Sequence, residues 1–403
     1  MLLGVHLTLL VGKTLAIPAP LAITEGLMEV QVTQNEVGRS GFSLTFQVGR
    51  ASPLDLLDYG LMTNPLLRPF NRVVVVVRFN LTPTVLLDGV ITQMQLTPSE
   101  EPGGSTLTVT GEDVSVLMDL EENTESYGNM NALVRLGKIL ARYPSLGLLP
   151  DLDPALKQAL LIDQSVSTVS IPKKNGTDYA YLSHLAERYG YVFFVRPSLL
   201  PNTNVAYLGP PGQADSMAAL FPPPALSVNM GPQTNVDSIN FAYSGIVFEQ
   251  VQTTRSEPLA NVKVPVMSLP ISTDPPQAAM PPAVYQLGTY RKVRADQPLT
   301  GGDDRRRGRV RDGLMVPMAL SDAQGRTNAS SQLVVTATGE VDGLRYGAVV
   351  NARSSVDLRG AGVTFDGRYY VQSVTHSIRK GQYKQQVTLQ RSGVFPLSPL
   401  VRV

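Results

Sequence analysis

The chain has 403 residues, which is enough for about two to four domains. Its net charge is +1, so no excess of either sign favours nucleic acid or an anionic membrane surface as the main partner. It contains no cysteine, which excludes disulfides, thiolate metal sites and cysteine nucleophiles.

The fraction of charged residues is low for a soluble monomer. Only 17% of the residues are charged, whereas average domains contain roughly 25%. This composition indicates a surface that is largely covered by other subunits.

Residues 1–115 have the patterns of β-strands. The apolar run at residues 1–11 precedes the first lysine or arginine, Lys13, and is far shorter than the roughly 20 residues of a membrane span. It therefore predicts an opening strand rather than a signal peptide or a membrane helix. Alternating or unbroken apolar residues predict further strands at residues 27–32, 42–46, 72–79, 86–96 and 106–110. Their spacing favours a barrel or closed sheet.

The middle of the chain changes to helical spacing. Apolar residues predict helices at residues 131–143, 154–162 and 177–189. In the last and clearest of these, Thr177 can cap the first N–H groups and Gly190 can adopt the left-handed conformation that ends the helix. Strands are predicted to follow at residues 191–195 and 204–208.

Residues 209–282 are rich in proline and predict extended connectors around a strand at residues 236–243. The arginine run at residues 305–309 lies in a predicted mobile loop near residues 300–312. The run fits either a phosphate-binding segment or a solvated loop that neighbouring aspartates partly neutralise, and the lack of interleaved aromatic residues favours the loop. Closing strands are predicted at residues 333–338, 348–352, 368–376 and 383–390, without a regular repeat of about 20–50 residues.

The residue patterns of common enzyme and metal sites are missing from the sequence. The three histidines, His6, His184 and His376, fall in separate predicted elements, so a zinc site is not expected. There is no G-x-S-x-G turn, phosphate-binding loop or dinucleotide fingerprint. The glutamates of residues 121–125 could form a glycosidase pair but are more typical of a polar turn. We therefore expect no catalytic residue, no metal and no cofactor.

Four tyrosines cluster at residues 179, 181, 189 and 191. Such a cluster could form a ligand cage. Helical spacing, however, places Tyr181 and Tyr189 on the apolar stripe of the predicted helix, which favours a packing role.

Three blocks of sequence carry a family resemblance. The first is DYAYLSHLAERYGYVFFV at residues 178–195, with YLGPP at 207–211. The second is FDGRYYVQSVTHSI at residues 365–378, with GQY at 381–383 and LQR at 389–391. The third runs from LDGVI at residues 87–91 to LTVTGED at 107–113. Together, the blocks resemble the phage late control gene D family of contractile-tail hub proteins, to which the hub part of VgrG spikes and the hubs of extracellular injection particles are related.

The resemblance implies an α+β, mainly β fold with two barrel-like hub domains and inserted helical or mixed segments. It implies a first hub domain at residues 1–120, a mixed α/β insert at 121–235 and a second hub domain at 236–403. Three chains would form a pseudo-hexameric ring that adapts a six-fold inner tube to a three-fold spike. The matching residues are packing and turn residues: Leu185, Tyr189, Gly190, Phe194, Gly367, Tyr369, Tyr370, His376 and Tyr383.

The resemblance also implies partners. These are two further copies in a homotrimer, a spike protein below, an inner tube or tube-initiator ring above, and baseplate wedge or LysM-type adaptor proteins. Assembly is expected in the cytoplasm, followed by incorporation into a phage tail or tail-like particle. VgrG-type members continue into an OB-fold and a needle, whereas this sequence stops at Val403, so the spike is expected on a separate chain. A wall-degrading or a receptor-binding tail component remains the alternative.

Overall fold

The fold is that of a computed structural model. The described residues are 5–49, 59–79, 82–101, 104–128, 130–152, 173–187, 191–209, 223–257, 262–294 and 316–397. The helix predicted at residues 154–162, the loop predicted near 300–312 with its arginine run, and the predicted helix end at Tyr189 and Gly190 lie outside them.

Residues 5–113, which we call the N-terminal half, supply one end of a 13-stranded sheet. Its elements are β1 (Val5–Gly12), β2 (Ile17–Pro18), α1 (Leu21–Gly26), β3 (Leu27–Asn35), β4 (Gly41–Gln47), β5 (Arg72–Phe79), β6 (Thr82–Thr97) and β7 (Thr106–Asp113). All strands predicted in this part of the chain are confirmed. The valines of β5 are buried without alternation because both faces of this strand are covered.

Residues 114–209, which we call the middle segment, form a mixed unit. Its strands and helices are β8 (Asn123–Ser126), α2 (Ala132–Leu140), β9 (Leu148–Leu152), β10 (Lys173–Gly176), α3 (Asp178–Glu187), β11 (Val192–Pro197) and β12 (Asn204–Gly209). The predicted cap of α3 is confirmed, since Ala180 N donates to Thr177 Oγ1 at 3.1 Å. Asn131 Oδ1 caps α2 in the same way by accepting from Val134 N at 2.8 Å.

Residues 226–391, which we call the C-terminal half, complete the large sheet. The elements are β13 (Leu226–Ser227), β14 (Val236–Tyr243), β15 (Glu249–Glu257), β16 (Val262–Met267), α4 (Pro282–Tyr285), β17 (Arg291–Arg294), α5 (Val316–Gln332), β18 (Val335–Asp342), α6 (Gly343–Tyr346), β19 (Ser355–Arg359), β20 (Gly367–Arg379) and β21 (Gln382–Arg391). Strands β15, β16 and β17 form a separate three-stranded sheet.

The strand predicted at residues 348–352 is wrong. These residues form no strand, and β19 begins only at Ser355. Their backbone groups find side-chain partners instead, since Val350 N donates to Gln385 Oε1 at 2.8 Å and Ala352 N to Gln34 Oε1 at 2.9 Å. Such partners satisfy the backbone without a neighbouring strand.

The two halves repeat one strand arrangement. The N-terminal half has the order β1-β5-β6-β7-β4-β3, and the C-terminal half has the order β13-β19-β20-β21-β18-β14. The orders correspond position by position. They differ in one orientation, because β1 is antiparallel to β5 whereas β13 is parallel to β19.

The irregularities of the two halves also coincide. In β3 the pairing with β4 skips Met28, and in the corresponding strand β14 the pairing with β18 skips Asp237. In β6 the pairing with β7 skips Thr92, and in β20 the pairing with β21 skips Gln372. Since a bulge fixes the register on either side of it, these matches align the halves residue by residue.

A strained residue recurs at one further matching position. Phe70 and Arg353 both have φ of 65°, which is left-handed and rare for side chains of this size. Phe70 N donates to Ile91 O at 2.7 Å, and Arg353 N donates to Val371 O at 2.8 Å. The two halves therefore share their local backbone geometry as well as their strand order.

Gly360 offers a test of the parallel β13–β19 contact. It has φ of +88°, and an added Cβ would lie 1.9 Å from the Val228 carbonyl oxygen. Gly360→Ala is expected to lower the free energy of unfolding by about 3 kcal/mol, because backbone strain and a steric clash add. Gly362→Ala is the matched control, since Gly362 has φ of +95° with nothing within 4 Å. It should cost only about 1 kcal/mol of strain, and equal losses in thermal unfolding would contradict the steric explanation.

Candidate assembly site

The two halves are joined edge to edge by β3 and β20. The strands pair in antiparallel register from Ser373 opposite Asn35 to Arg379 opposite Glu29. At the far end Arg379 Nη2 lies 2.9 Å from Glu29 Oε2. Each half therefore contributes one edge to a continuous sheet, and we call this pairing the internal junction.

His376 and Tyr383 lie together beneath the internal junction. His376 is fully buried opposite Val32, and its Nδ1 lies 2.9 Å from the Tyr383 hydroxyl. Burial lowers the pKa of His376 to about 3 and raises the pKa of Tyr383. Both groups are therefore neutral at physiological pH and act as packing residues.

Gln34 ties the junction to both halves. Its Nε2 donates to Leu86 O at 2.8 Å, and its Oε1 accepts from Ala352 N at 2.9 Å. One buried amide thus fixes β6 and the segment before β19 relative to β3. Because a buried amide must keep its hydrogen bonds, this one arrangement of the two halves is strongly preferred.

Arg353 connects the C-terminal half to the middle segment. Its guanidinium carbon lies 3.7 Å from the ring centroid of Phe194, which stacks on Tyr207 at a centroid distance of 4.6 Å. Burial lowers the pKa of Arg353. The aromatic face attracts the desolvated cation and so offsets part of the cost of burying the arginine.

Arg72 and Asp88 connect the N-terminal half to the middle segment. Arg72 Nε and Nη2 each donate to one carboxylate oxygen of Asp88 at 2.7 Å. Asn204 Nδ2 donates to Asp88 Oδ2 at 3.2 Å and to Leu146 O at 2.9 Å. The middle segment is thereby fastened to β5 and β6 through groups removed from water.

The residues that carry the family resemblance occupy core and turn positions. Leu185 is 3% exposed in the core of the middle segment, away from the junction that holds His376 and Tyr383. Gly367 begins β20 with φ of +130°, a conformation that favours glycine. Tyr189 and Gly190 lie outside the described residues.

Tyr369 and Tyr370 begin the same strand. The Tyr369 hydroxyl donates to Phe365 O at 2.7 Å, and the Arg391 guanidinium carbon lies 4.7 Å from the Tyr369 ring centroid. Burial raises the pKa of Tyr370 well above its usual value. Both tyrosines are buried where β20 pairs with β19, so they act as packing residues.

Sequence patterns predict few of the residues that connect the two halves and the middle segment. Arg72 was detectable, since a charged residue at the head of an unbroken valine run needs a buried partner. Gln34, Asn204 and Arg353 stand in segments without a motif, and their roles depend on residues far away in the sequence.

Among the open strand edges of the large sheet in the described part of the chain, two occupy positions that the repeat relates to the internal junction. One is the outer edge of β14, the last strand of the sheet. The other is the edge of β6 beyond Ile91, where β5 no longer accompanies it. We call these the β14 edge and the β6 edge.

The glutamate that the sequence offered as a catalytic acid is paired with two cations. Glu125 accepts hydrogen bonds from Lys138 Nζ at 2.6 Å and from Arg142, which lower its pKa to about 2. No group of three histidine, aspartate or glutamate residues in the described ranges could hold a metal ion. No helix in the part of the chain that the structure describes is long and apolar enough to span a bilayer.

Comparison by sequence and by structure gives different results. No family model and no curated protein matches the sequence. The fold, however, is similar to the tail protein from Neisseria meningitidis MC58, with a TM-score of 0.58, 15% identity, and coverage of 97% of this chain and 98% of that chain. The 43 kDa tail protein of prophage MuSo2 from Shewanella oneidensis gives a TM-score of 0.57 at 13% identity, with coverage of 96% and 99%.

A third similar structure is a chain of the half-lidded Francisella PdpA–VgrG complex. Its TM-score is 0.52 at 10% identity, with coverage of 99% of this chain and 60% of that chain. At such identities the likeness establishes the fold. The predicted resemblance is confirmed at that level, since the chain has a mostly antiparallel β fold shared with phage tail proteins and with a PdpA–VgrG complex.

Proposed function

We propose that the chain is the structural central hub of the baseplate of a contractile injection machine, where it adapts a six-fold inner tube to a three-fold spike. The observation that supports this is the repeated strand arrangement, with two matching bulges and a matching left-handed residue. One chain carries two copies of one sheet unit, so three chains carry six.

This count explains how one ring can meet two symmetries. A homotrimer has three identical faces, and a spike of the same symmetry can bind them. Its six similar sheet units form a barrel-like, pseudo-hexameric ring that matches a six-fold tube on the other side. The shared backbone of the two halves suits the six-fold tube. Their different side chains leave the ring with three-fold symmetry, which suits the spike.

The proposed partners follow from this position. The hub is a homotrimer with a spike below, an inner tube or tube-initiator ring above, and wedge or LysM-type adaptor proteins around it. It assembles in the cytoplasm and becomes part of a tail or tail-like particle. Residues 1–120 and 236–403 act as the hub domains and residues 121–235 as the insert. Three hydrophobic clusters support this division, since one lies mostly in residues 9–109, one in residues 114–208 and one in residues 226–394.

The proposed role is non-enzymatic. The glutamate at position 125 does not fit a wall-degrading acid, which needs a raised pKa, because hydrogen bonds from Lys138 and Arg142 lower the pKa of Glu125 to about 2. Burial raises the pKa of Asp88 and of Asp113, but both carboxyls are buried and hydrogen-bonded to side chains of the same chain. The buried His376, Tyr369, Tyr370 and Tyr383 contribute packing, which is what an assembly protein requires.

The mass of the purified protein tests the proposal. We expect a concentration-dependent shift to a trimer in native mass measurements, and rings with three-fold symmetry and six similar lobes in electron micrographs. Particles that contain the tube and the spike should hold three copies. A chain that stays monomeric at every concentration, alone and with tube or spike proteins, would contradict the hub assignment.

A further inference from the structure

We propose that the β14 edge of one copy pairs with the β6 edge of the next copy, in the register that β3 and β20 use inside one chain. This inference rests on the proposed function and identifies the residues by which the copies meet. Its partner is a second copy of this chain.

The repeat indicates that the β14 edge pairs with the β6 edge. In the alignment fixed by the bulges, β14 corresponds to β3 and β6 corresponds to β20. Within the chain β3 and β20 pair, whereas their counterparts β14 and β6 are open on the corresponding sides. The internal junction therefore shows how the open edges fit each other.

The register follows from the same alignment. Thr375 pairs with Thr33 at the internal junction, so Gln95 of one copy pairs with Ala242 of the next. Two residues further along, Thr97 pairs with Asn240. On the opposite face Leu96 then lies against Phe241 as an apolar cross-strand pair.

Burial at the two sites supports the pairing. At the internal junction the inward residues Val32, Val374 and His376 are fully buried. The corresponding residues Phe241, Met94 and Leu96 show the same alternation but are only half-buried. A neighbouring strand would complete their burial and stabilise the contact by removing apolar surface from water.

Neither edge carries the charged residues or the proline that often keep a free edge from pairing. Isolated edge strands are usually protected by charged residues, by proline or by a covering element. Residues 92–97 (TQMQLT) and 238–243 (SINFAY) contain no charged residue and no proline. Both segments are therefore suited to accept a strand.

The pairing closes a ring. Each copy offers one β14 edge and one β6 edge, so the contact is head-to-tail and repeats around an axis. Internal junctions and contacts between copies alternate around this axis. If both have one geometry, three copies give six junctions, and every β14 edge and β6 edge in the ring is paired.

Disulfide trapping can test the register, because the chain has no cysteine of its own. Directly opposite residues of an antiparallel pair have Cα atoms about 4.5–5.5 Å apart, which a disulfide can bridge. Diagonal neighbours are about 7–8 Å apart and are bridged poorly. The matched pairs Gln95→Cys with Ala242→Cys and Thr97→Cys with Asn240→Cys should therefore link chains after mild oxidation. Gln95→Cys with Asn240→Cys is the control in the wrong register.

The expected result is a non-reducing gel with covalent dimers and trimers for both matched pairs and mostly single chains for the control. Thr33→Cys with Thr375→Cys serves as the internal comparison, since it should close a disulfide within one chain and give no covalent dimer or trimer. All four exposed positions at the open edges tolerate a small side chain.

Native mass measurements on the same samples separate the two proposals. Trimers in which the matched pairs fail to link, or in which the wrong-register pair links equally well, overturn the edge pairing and leave the hub trimer intact. Monomers throughout overturn both. Trimers linked only through the matched pairs support the register.

Discussion

Replacement of Asp88 by asparagine is expected to lower the free energy of unfolding by about 3–5 kcal/mol, because it leaves the buried Arg72 guanidinium without a counter-charge. The Arg72 and Asp88 side chains are only 4% and 0% exposed, so water cannot compensate for the lost carboxylate. Asn204 also loses its anionic acceptor. Urea unfolding followed by circular dichroism measures the loss.

Two controls separate the cost of a buried charge from the loss of an ion pair. Asp357→Asn breaks the pair with Arg368, whose side chains are 58% and 61% exposed, and it should cost about 1 kcal/mol or less. The double change Arg72→Met with Asp88→Leu removes both charges and should recover most of the stability lost in the single variant. If Asp88→Asn proves as mild as Asp357→Asn, the buried pair does not fasten the middle segment as described.

The sequence predicted elements whose own residues determine them. The valine run of β5 and the alternation in β14 gave the bounds that the structure has, since side-chain spacing alone places these strands. Thr177 was predicted as a helix cap because a cap depends on neighbours only three residues away.

Helix α5 was not predicted, and the reason is tertiary. Its sequence VPMALSDAQGRTNASSQ contains several residues with poor helix propensity. Contacts with the small sheet stabilise it instead. Glu249 N donates to Ser330 Oγ at 3.1 Å, and Ser268 Oγ lies 2.6 Å from Thr327 Oγ1. A local sequence pattern cannot predict contacts between residues that lie so far apart in the sequence.

The internal repeat was also not predicted from the sequence. Matching positions share strand position or backbone conformation but neither residue type nor degree of burial, as with Phe70 and Arg353 or Val32 and Phe241. Packing constrains the size and polarity of a residue more than its identity, so two units can keep one fold while their sequences diverge. The assembly edges become visible only when strand pairings are compared between the halves.

His376 should make the stability of the protein fall as pH decreases, because it is fully buried and its pKa is lowered to about 3. Below the ordinary histidine pKa of about 6.5, the unfolded chain binds a proton that the folded chain excludes. The free energy of unfolding therefore decreases by about 1.4 kcal/mol per pH unit between these two pKa values. The effect is greatest where the unfolded histidine is fully protonated and the folded one still neutral.

The variant His376→Gln isolates this contribution. Glutamine can keep a hydrogen bond to the Tyr383 hydroxyl but does not titrate, so the variant should lose about 2 kcal/mol less than the wild type between about pH 6 and pH 4.5. His184→Gln is the matched control for the exchange of a histidine for glutamine, since the His184 side chain is 56% exposed and lies away from the internal junction.

Since His376 lies opposite Val32 at the internal junction, acid should separate the two halves at their shared edge first. Hydrogen exchange should therefore report faster opening of β3 and β20 than of β5 at low pH in the wild type, and this difference should disappear in His376→Gln. Parallel pH profiles for the wild type and His376→Gln would contradict this assignment.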